Sequence, residues 1–251
     1  MNQGVRTGMI AALALAAGVG GTLFATQSGA VTGGAVATTD RAAIEAIVRE
    51  YILTHPEILP EAMQNLERRE AAKQVGTNRA KLETPFAGAW QGAADADVTL
   101  VEFFDYSCGY CRAAHPDVER LLAEDPKLKV VYRELPILGE DSQKAALISL
   151  AVAQQGAPAY AAFHKAMWAA GRPSAVTVEQ ALRAAGLDPA KVQTSPDTTA
   201  VRGEIESNLG LQRTLALSGT PSWIIGDQVI NGAVGYDELK SAIAEARKAA
   251  K

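Results

Sequence analysis

After residue 97 the apolar and polar positions of the chain change between strand-like and helix-like spacing. Four short apolar runs predict strands, at Val98–Phe104, Leu128–Arg133, Ser222–Ile225 and Gln228–Ile230. Longer stretches with apolar residues three and four apart predict helices, at about Gly109–Glu124, Ser142–Gln155, Pro158–Ala169, Thr177–Ala185 and Tyr236–Ala249. A further long helix is predicted to end near Leu217. The pattern predicts an α/β fold, a mixed sheet flanked by helices with a helical insertion at about residues 142–217.

A separate helical segment is predicted in front of this fold, over residues 38–78. Pro56 interrupts it, and the part that follows carries an apolar stripe opposite a charged face, with Ile58, Leu59, Met63 and Leu66 in the stripe. Such a stripe must be covered, either by the rest of the same chain or by another copy of the chain. Residues Gly76 to Asp97 are expected to form a linker and a leading strand, and the main domain is predicted to span residues 79–251.

The first 37 residues are typical of a secretory signal peptide. Arg6 precedes an uncharged apolar run from Met9 to Ala25, and small residues follow, with candidate cleavage sites near residues 30 and 37. A membrane anchor is the alternative, although the run is short and broken by glycine. No cysteine lies near the cleavage region, which excludes a lipoprotein. Export would bring the chain to the periplasm, a compartment in which disulfides form.

The composition limits the class of partner. The chain has 251 residues, 48% of them hydrophobic, and a formal net charge of −4. This length can bury one sizeable core with an appended element. The charge is near neutral and evenly spread, so nucleic acid is not expected as a partner.

The chain has only two cysteines, Cys108 and Cys111, and they follow a predicted strand directly. A Cys-x-x-Cys pair that opens a helix places its first sulfur over unpaired backbone N–H groups and the positive end of the helix dipole. That environment favours the thiolate, which is the form that attacks disulfides. One helical turn later, the second cysteine can release a trapped mixed disulfide. The spacing therefore predicts a dithiol/disulfide exchange site.

The cysteine pair has three alternative interpretations. A structural zinc site needs four ligands, and the chain has three histidines and no second cysteine pair, although Cys108, Cys111 and His115 together could hold a soft metal. A c-type haem needs histidine where Arg112 stands. An inert disulfide would close only a tiny loop and stabilise little. The interpretation as a redox site predicts neither a metal nor a cofactor.

The order of elements, the Cys-x-x-Cys pair and Gly219-Thr220-Pro221 before the last hairpin resemble the thioredoxin fold. The helical insertion and the run from Val101 to Cys108 resemble the DsbA superfamily of thiol:disulfide oxidoreductases in particular. The N-terminal segment, with Arg49–Leu53 and His55-Pro56-Glu57, is similar to the extra domain of ScsC-like and Com1-like bacterial members. The resemblance implies that residues 38–75 form a homo-oligomer, a trimer or a dimer.

The resemblance also assigns roles to single residues. It implies that Cys108 is the exposed nucleophile, that Cys111 is the buried resolving thiol, and that Pro221 is a cis-proline facing them. An X–Pro bond is held cis at a cost of only about 0.5–1 kcal/mol. The backbone of Thr220 would then pair with an extended substrate segment. Tyr106 and Tyr110 are expected to border the substrate groove, and Trp168 and Trp223 to lie in the core.

Glu102 precedes Cys108 where the family has a buried acid. The period of two along a strand places Glu102 on the same face as Leu100 and Phe104. A carboxyl group among apolar residues should have a raised pKa, so it could accept the proton of Cys111 as a general base. The alternative is a partly exposed glutamate that forms a salt bridge.

Gly109 and Tyr110, between the cysteines, carry no charge, and Cys-Gly-Tyr-Cys resembles the motif of DsbC-type isomerases. The sequence therefore favours a periplasmic disulfide isomerase and reductase. Its substrates would be exported proteins with disulfides, and a membrane thiol reductant of the DsbD or ScsB kind would supply electrons. The alternatives are a DsbA-like oxidase with the same residues and a copper-binding thiol protein.

Overall fold

The computed structural model describes residues 38–193 and 198–249. The chain divides into two compact units, the first ending at His55 and the second beginning at Pro56. The expected signal peptide, residues 1–37, lies outside the described residues. In the part of the chain that is described, no helix is long and apolar enough to cross a membrane.

The helices and strands follow the predicted order. The described strands are β1 Trp90–Gly92, β2 Val98–Phe104, β3 Leu128–Glu134, β4 Ser222–Ile225 and β5 Gln228–Asn231. The described helices are α1 Thr38–Thr54, α2 Ile58–Glu83, α3 Gly109–Glu124, α4 Glu140–Ala153, α5 Ala157–Ala170, α6 Ala175–Ala184, α7 Pro189–Gln193, α8 Thr199–Thr214 and α9 Tyr236–Ala249. The break between the first two helices lies at Pro56, as predicted. The predicted α/β class is confirmed.

The strands form one mixed five-stranded sheet in the order β1-β3-β2-β4-β5. Strands β2 and β3 are parallel, which requires a crossover, and α3 supplies it. The pairs β1–β3, β2–β4 and β4–β5 are antiparallel. The central strand β2 therefore has partners on both sides, and its carboxyl end leads into the cysteine pair.

The two faces of β2 contribute to two different hydrophobic clusters. Leu100 and Phe104 belong to the cluster that contains both cysteines. Val101 and Phe103 belong to the other cluster, which also holds side chains from α2 and α8. The alternation places Glu102 on the cysteine side of the sheet, as the sequence predicted.

Helix α2 corrects the expectation of a linker from Gly76. The helix continues through Gly76 to Glu83, so the predicted boundary near residue 78 falls inside it. A Cβ atom at Gly76 would meet no atom within 4 Å, so nothing in the tertiary structure requires glycine or a break there. Val75 and Leu82 are buried against the sheet cluster and fix this half of the helix to the domain.

A buried arginine from β3 completes that attachment. The Arg133 guanidinium donates to the carbonyl oxygens of Leu82 at 3.0 Å and Thr84 at 2.5 Å, and also to that of Lys81. It forms an ion pair with Glu204 of α8 at 2.6 Å. The carbonyl groups at the end of a helix have no partner within the helix. Arg133 satisfies them from the sheet, so the end of α2 is part of the domain core.

The first half of α2 is different, because its apolar side chains face solvent. Leu59, Met63 and Leu66 are all exposed, and Met63 is exposed to 63%. Helix α1 likewise has exposed apolar side chains, at Ile44, Ile47, Val48, Tyr51 and Leu53. In α2 the stripe is not covered by the rest of its own unit.

Candidate functional site: a dithiol at the start of helix α3

The loop after β2 brings Cys108 to the N-cap position, directly before the first residue of α3. Cys108 has extended backbone angles and serves as the N-cap residue, and its N–H donates to the Asp105 carbonyl oxygen at 2.9 Å. Both cysteines are free thiols. Cys111 is fully buried, as expected, but Cys108 is exposed to only 6%, so the expectation of an exposed Cys108 is wrong for this structure. Cys108 directly precedes the first turn of α3, whose backbone N–H groups have no partner within the helix.

The proline loop lies directly against this cysteine. The Thr220–Pro221 peptide bond is cis, as the resemblance implies, and it immediately precedes β4. The Cys108 thiol donates to the Thr220 carbonyl oxygen at 3.2 Å. Pro221 in turn accepts the N–H of Gly232 at 2.9 Å, which ties the loop to the segment after β5. The structure therefore brings together residues that are 112 positions apart in the chain.

Glu102 lies inside the protein on the same side of the sheet. It is exposed to only 3%, and among the described residues no basic side chain pairs with it. Burial raises its pKa to about 8, and the neighbouring Cys108 adds to the rise. The alternative of a partly exposed glutamate in a salt bridge is wrong. A carboxyl group with this pKa can take up or release a proton near neutral pH.

The thiol of Cys111 is held in its protonated form. Burial raises its pKa far above the ordinary range, and Glu102 and then Cys108 add to the rise. A hydrogen bond from the backbone N–H of Asp105 acts in the opposite direction. Ionised Glu102 would disfavour a Cys111 thiolate and the thiolate would disfavour an ionised Glu102, so the two groups resist being ionised at the same time.

The two residues between the cysteines face outward. Gly109 is exposed and Tyr110 is exposed to 72%, which leaves both open to a partner molecule. Tyr106 does not border the groove, and that expectation was wrong. It is buried, and its hydroxyl group hydrogen-bonds to His164 Nδ1 at 2.8 Å and to Ser149 at 3.2 Å. Trp168 and Trp223 lie in the core, as predicted.

Arg112 is a contributor that sequence analysis missed. Its guanidinium donates to the carbonyl oxygens of Gly171 at 2.5 Å and Tyr106 at 3.3 Å, and also to that of Trp168. It also lies over the Trp168 ring, 5.4 Å from the centroid. These contacts fix the first turn of α3 to the end of α5. Only the position of Arg112 directly after Cys111 could have indicated this role.

His115 does not join the cysteines in a metal site. Its ring packs against the rings of His164 and Trp168, and burial, with the charges of Lys165 and Arg112, lowers its pKa to about 4. Within residues 38–193 and 198–249, no three His, Cys, Asp or Glu side chains are arranged to hold a metal ion. His115 therefore lies among aromatic rings and does not form a cluster of ligands with Cys108 and Cys111 in the described part of the chain.

Comparison with known proteins places the two parts of the chain. Residues 99–244 match the family described as DSBA-like thioredoxin domain, and residues 40–73 match the copper resistance protein ScsC N-terminal domain. A linker-deletion mutant of ScsC from Proteus mirabilis is 28% identical, covers 87% of this chain and 99% of its own, and superimposes with a TM-score of 0.68. A thioredoxin-like oxidoreductase from Silicibacter pomeroyi is 39% identical, with coverages of 68% and 98% and a TM-score of 0.64.

A curated relative agrees with these structures. Disulfide bond formation protein D of Bacillus subtilis is 24% identical over 163 residues, which are 61% of this chain and 73% of that protein. The DSBA-like match covers more than half of the chain and includes the dithiol, the cis-proline and Glu102. The chain belongs to the DsbA-like thioredoxin-domain family, and it carries an ScsC-type domain in front of the thioredoxin fold.

Proposed function

We propose that this protein is a periplasmic thiol–disulfide exchange protein that acts mainly as a disulfide isomerase and reductase on exported proteins. Thiol–disulfide oxidoreductase chemistry follows from the family; the direction, the compartment and the residue roles are the proposal. One observation carries it: the Cys108 thiol lies at the start of α3 against the Thr220 carbonyl oxygen, with buried Cys111 one turn away. That arrangement suits attack on a disulfide followed by intramolecular release.

In the first step the Cys108 thiolate attacks one sulfur of a substrate disulfide. A bond forms between Cys108 Sγ and that sulfur, and the other substrate sulfur leaves as a thiolate. If that thiolate attacks elsewhere in the substrate and Cys108 is finally released, the substrate disulfide has been rearranged without net oxidation or reduction. We expect the backbone of Thr220 to pair with the substrate segment, beside Gly109 and Tyr110.

In the second possible outcome Cys111 resolves the mixed disulfide. Its proton passes to Glu102, its sulfur attacks Cys108 Sγ, and the substrate sulfur leaves with the electron pair of the broken bond. The substrate then holds two thiols and the protein holds a Cys108–Cys111 disulfide. A membrane thiol reductant of the DsbD or ScsB kind would return two electrons to the protein.

The N-terminal segment supplies the second part of the proposal. Residues 38–75 carry exposed apolar side chains and include the ScsC-type domain, so we infer that they join copies of the chain into a trimer or a dimer. An assembly would place several dithiols around one substrate and could keep an oxidising partner away. Residues 1–37 would act as the signal for export.

The decisive test is reactivation of scrambled, fully oxidised ribonuclease by the mature chain. We expect activity to return with the whole mature chain and to fall strongly when residues 38–75 are removed. A Cys108→Ser variant is the control, because it keeps the fold and removes the nucleophile. If neither form reactivates scrambled ribonuclease while the protein readily oxidises reduced ribonuclease, the isomerase proposal fails and a DsbA-like oxidase takes its place.

A further inference from the structure

We propose that Asn231 is a positioning residue for substrate capture, because its side chain fixes the loop that presents Thr220 to the dithiol. The proline loop is residues 218–222. The inference rests on the proposed role of Thr220 as the backbone partner of the substrate segment. It does not depend on whether the protein acts as an isomerase or as an oxidase.

Asn231 holds the proline loop at both of its ends. It is the last residue of β5 and lies opposite Ser222, the first residue of β4. Its side-chain oxygen Oδ1 accepts the backbone N–H of Ser218 at 3.0 Å and the Ser222 hydroxyl group, also at 3.0 Å. One side chain of the neighbouring strand therefore bridges the first and the last residue of the loop.

Ser222 extends this bridge into the middle of the loop. Its hydroxyl group also donates to the Gly219 carbonyl oxygen at 2.7 Å, so its one proton is shared between that oxygen and Asn231 Oδ1. The next residue, Thr220, accepts the Cys108 thiol at 3.2 Å with its own carbonyl oxygen. Hydrogen bonds and one peptide unit thus connect Asn231 with the reacting sulfur.

Side-chain packing does little to hold the proline loop. Ser218 is exposed, and Gly219 and Thr220 are half-buried. A Cβ atom at Gly219 would meet no atom within 4 Å, so no neighbouring group presses on the loop there. The N–H of Gly232 donates to the Pro221 carbonyl oxygen, which holds only the end of the loop that joins β4. The direction of the Thr220 backbone therefore depends on the hydrogen bonds that Asn231 makes.

This placement matters when an extended peptide segment binds. Main-chain hydrogen bonds to such a segment contribute affinity only when donor and acceptor are correctly aimed. A disulfide without amide groups makes no such bonds. Loss of the Asn231 side chain should therefore weaken the capture of peptide disulfides and leave the reaction of Cys108 with a small disulfide almost unchanged.

The experiment uses the mature chain with Cys111→Ser, so that the reaction stops at the mixed disulfide. Two probes share one leaving group. The first is a short peptide whose central cysteine is joined by a disulfide to 2-mercaptoethanol, and the second is 2-hydroxyethyl disulfide, which has no amide group. The Cys108 thiolate attacks, the sulfur–sulfur bond of the probe breaks, and 2-mercaptoethanol leaves as its thiolate. Mass spectrometry measures the mixed disulfide that forms on Cys108.

For Asn231→Ala we expect the half-saturating concentration of the peptide to rise about fivefold to tenfold, the equivalent of one or two hydrogen bonds. The maximal rate with the peptide and the rate with 2-hydroxyethyl disulfide should change by less than about twofold, because only binding is weakened. Asn231→Asp keeps an acceptor oxygen at the same place, so it should bring the peptide concentration back to within about twofold of its original value.

Gln228→Ala is the matched control. Gln228 lies at the other end of β5, and its side chain donates to Glu245 of α9 at 3.1 Å. This variant removes a side-chain hydrogen bond from the same strand and should leave the reactions of both probes unchanged. If Asn231→Ala does not fold, Ser222→Ala replaces it, because it frees the Gly219 carbonyl oxygen and should raise the half-saturating peptide concentration about threefold.

Three results would overturn the inference. They are an unchanged half-saturating peptide concentration in the folded Asn231→Ala variant, a loss of the same size with both probes, and an equal loss in Gln228→Ala. If the chain with its natural Asn231 captures the peptide no better than 2-hydroxyethyl disulfide, the proposed role of Thr220 fails and the inference with it. A chain that reacts with neither probe would instead contradict the proposed exchange function.

Discussion

The dithiol end of the sheet and the first half of α2 depart from ordinary burial in opposite ways. At the dithiol, Glu102 and Asp105 carry carboxyl groups inside the protein. On α2, Leu59, Met63 and Leu66 carry apolar side chains into solvent. Burying a carboxyl group without a charged partner, as at Glu102, and exposing an apolar stripe both cost free energy. Each region therefore marks a surface or a site where something outside the fold is expected.

The second half of α2 shows that the difference does not come from the helix itself. Val75 and Leu82 lie in the same helix as Met63, yet they are buried. The buried guanidinium of Arg133 also binds carbonyl groups at the end of this helix. This second half of α2, called the anchored half, packs against side chains of the sheet cluster in the same chain. The exposed half has the same kind of side chain and no partner in its own unit.

The largest effect is expected from the triple substitution Leu59→Lys, Met63→Lys and Leu66→Lys. These residues share one face of α2. Each such side chain contributes about 1.5–3 kcal/mol when it is fully buried, so the association constant should fall by more than about a thousandfold. Sedimentation equilibrium measures this directly. Glu61→Lys with Glu67→Lys is the control on the same exposed helix, and an assembly that survives the triple substitution would contradict the proposed interface.

Next in size is Arg133→Met, which attacks the anchored half. The substitution leaves Glu204 without its partner and frees the carbonyl groups of Lys81, Leu82 and Thr84. Removing one partner of a buried ion pair costs about 3–5 kcal/mol. Urea unfolding should show this loss. Arg183→Met, in the exposed pair with Glu179, should change the free energy of unfolding by less than about 0.5 kcal/mol. Similar losses in the two variants would refute the role of Arg133.

Glu102→Gln tests the buried carboxyl group at the dithiol end. A glutamine cannot accept the Cys111 proton, and general acid–base catalysis contributes about 10²–10⁴-fold, so resolution of a mixed disulfide should slow by about a hundredfold or more. Stopped-flow exchange with oxidised glutathione separates this effect from the first attack by Cys108. An unchanged resolution rate between pH 6 and 8 would remove Glu102 from the mechanism.

The same substitution should change how stability depends on pH. The pKa of Glu102 is raised from about 4.5 to about 8, so the folded protein binds a proton that the unfolded chain releases. Its contribution is therefore fully present below about pH 4.5 and is lost as the pH rises toward 8. The wild type should lose a few kcal/mol over this interval, at about 1.4 kcal/mol per unit. Urea unfolding of Glu102→Gln should lack this part of the pH dependence.

The smallest effect is expected from Arg79→Gln on the anchored half of α2. Arg79 donates to the Gly226 carbonyl oxygen at 3.2 Å and pairs with Asp227, but the pair is largely open to solvent. Such pairs contribute about 0–1 kcal/mol. The melting temperature should fall by only about 1–4 °C, and less at high salt. A loss comparable to that of Arg133→Met would show that the anchor was assigned to the wrong residue.

The sequence predicted well wherever an apolar run decides the structure. The predicted bounds of β2 and β4 agree with the structure to the residue, because nearly all side chains of both strands are apolar or buried. The position of the dithiol at the start of α3 follows in the same way. The resemblance to a family added the cis-proline, which spacing alone does not reveal.

Contacts over long distances along the chain limited the rest. Gly76 was interpreted as a break because the sequence does not show that Arg133 caps the helix after it. Tyr106 was placed in the groove because its partner His164 is 58 positions away. The roles of Asp105 and Arg112 were not predicted, for the same reason. Their side chains hydrogen-bond to backbone groups distant in the chain, and every residue type carries such backbone groups.

Because α2 is continuous, the number of its residues determines the direction in which its exposed stripe faces. The helix has 26 residues, and at about 1.5 Å each it is about 39 Å long. Each residue inserted between Leu66 and Val75 would turn the exposed stripe by about 100° around the helix axis, relative to the half that is fixed to the sheet. Seven inserted residues would nearly restore its direction while moving it about 10 Å farther out. The angle of the stripe around the helix axis, and not only the side chains in the stripe, then determines which way the covering partner faces.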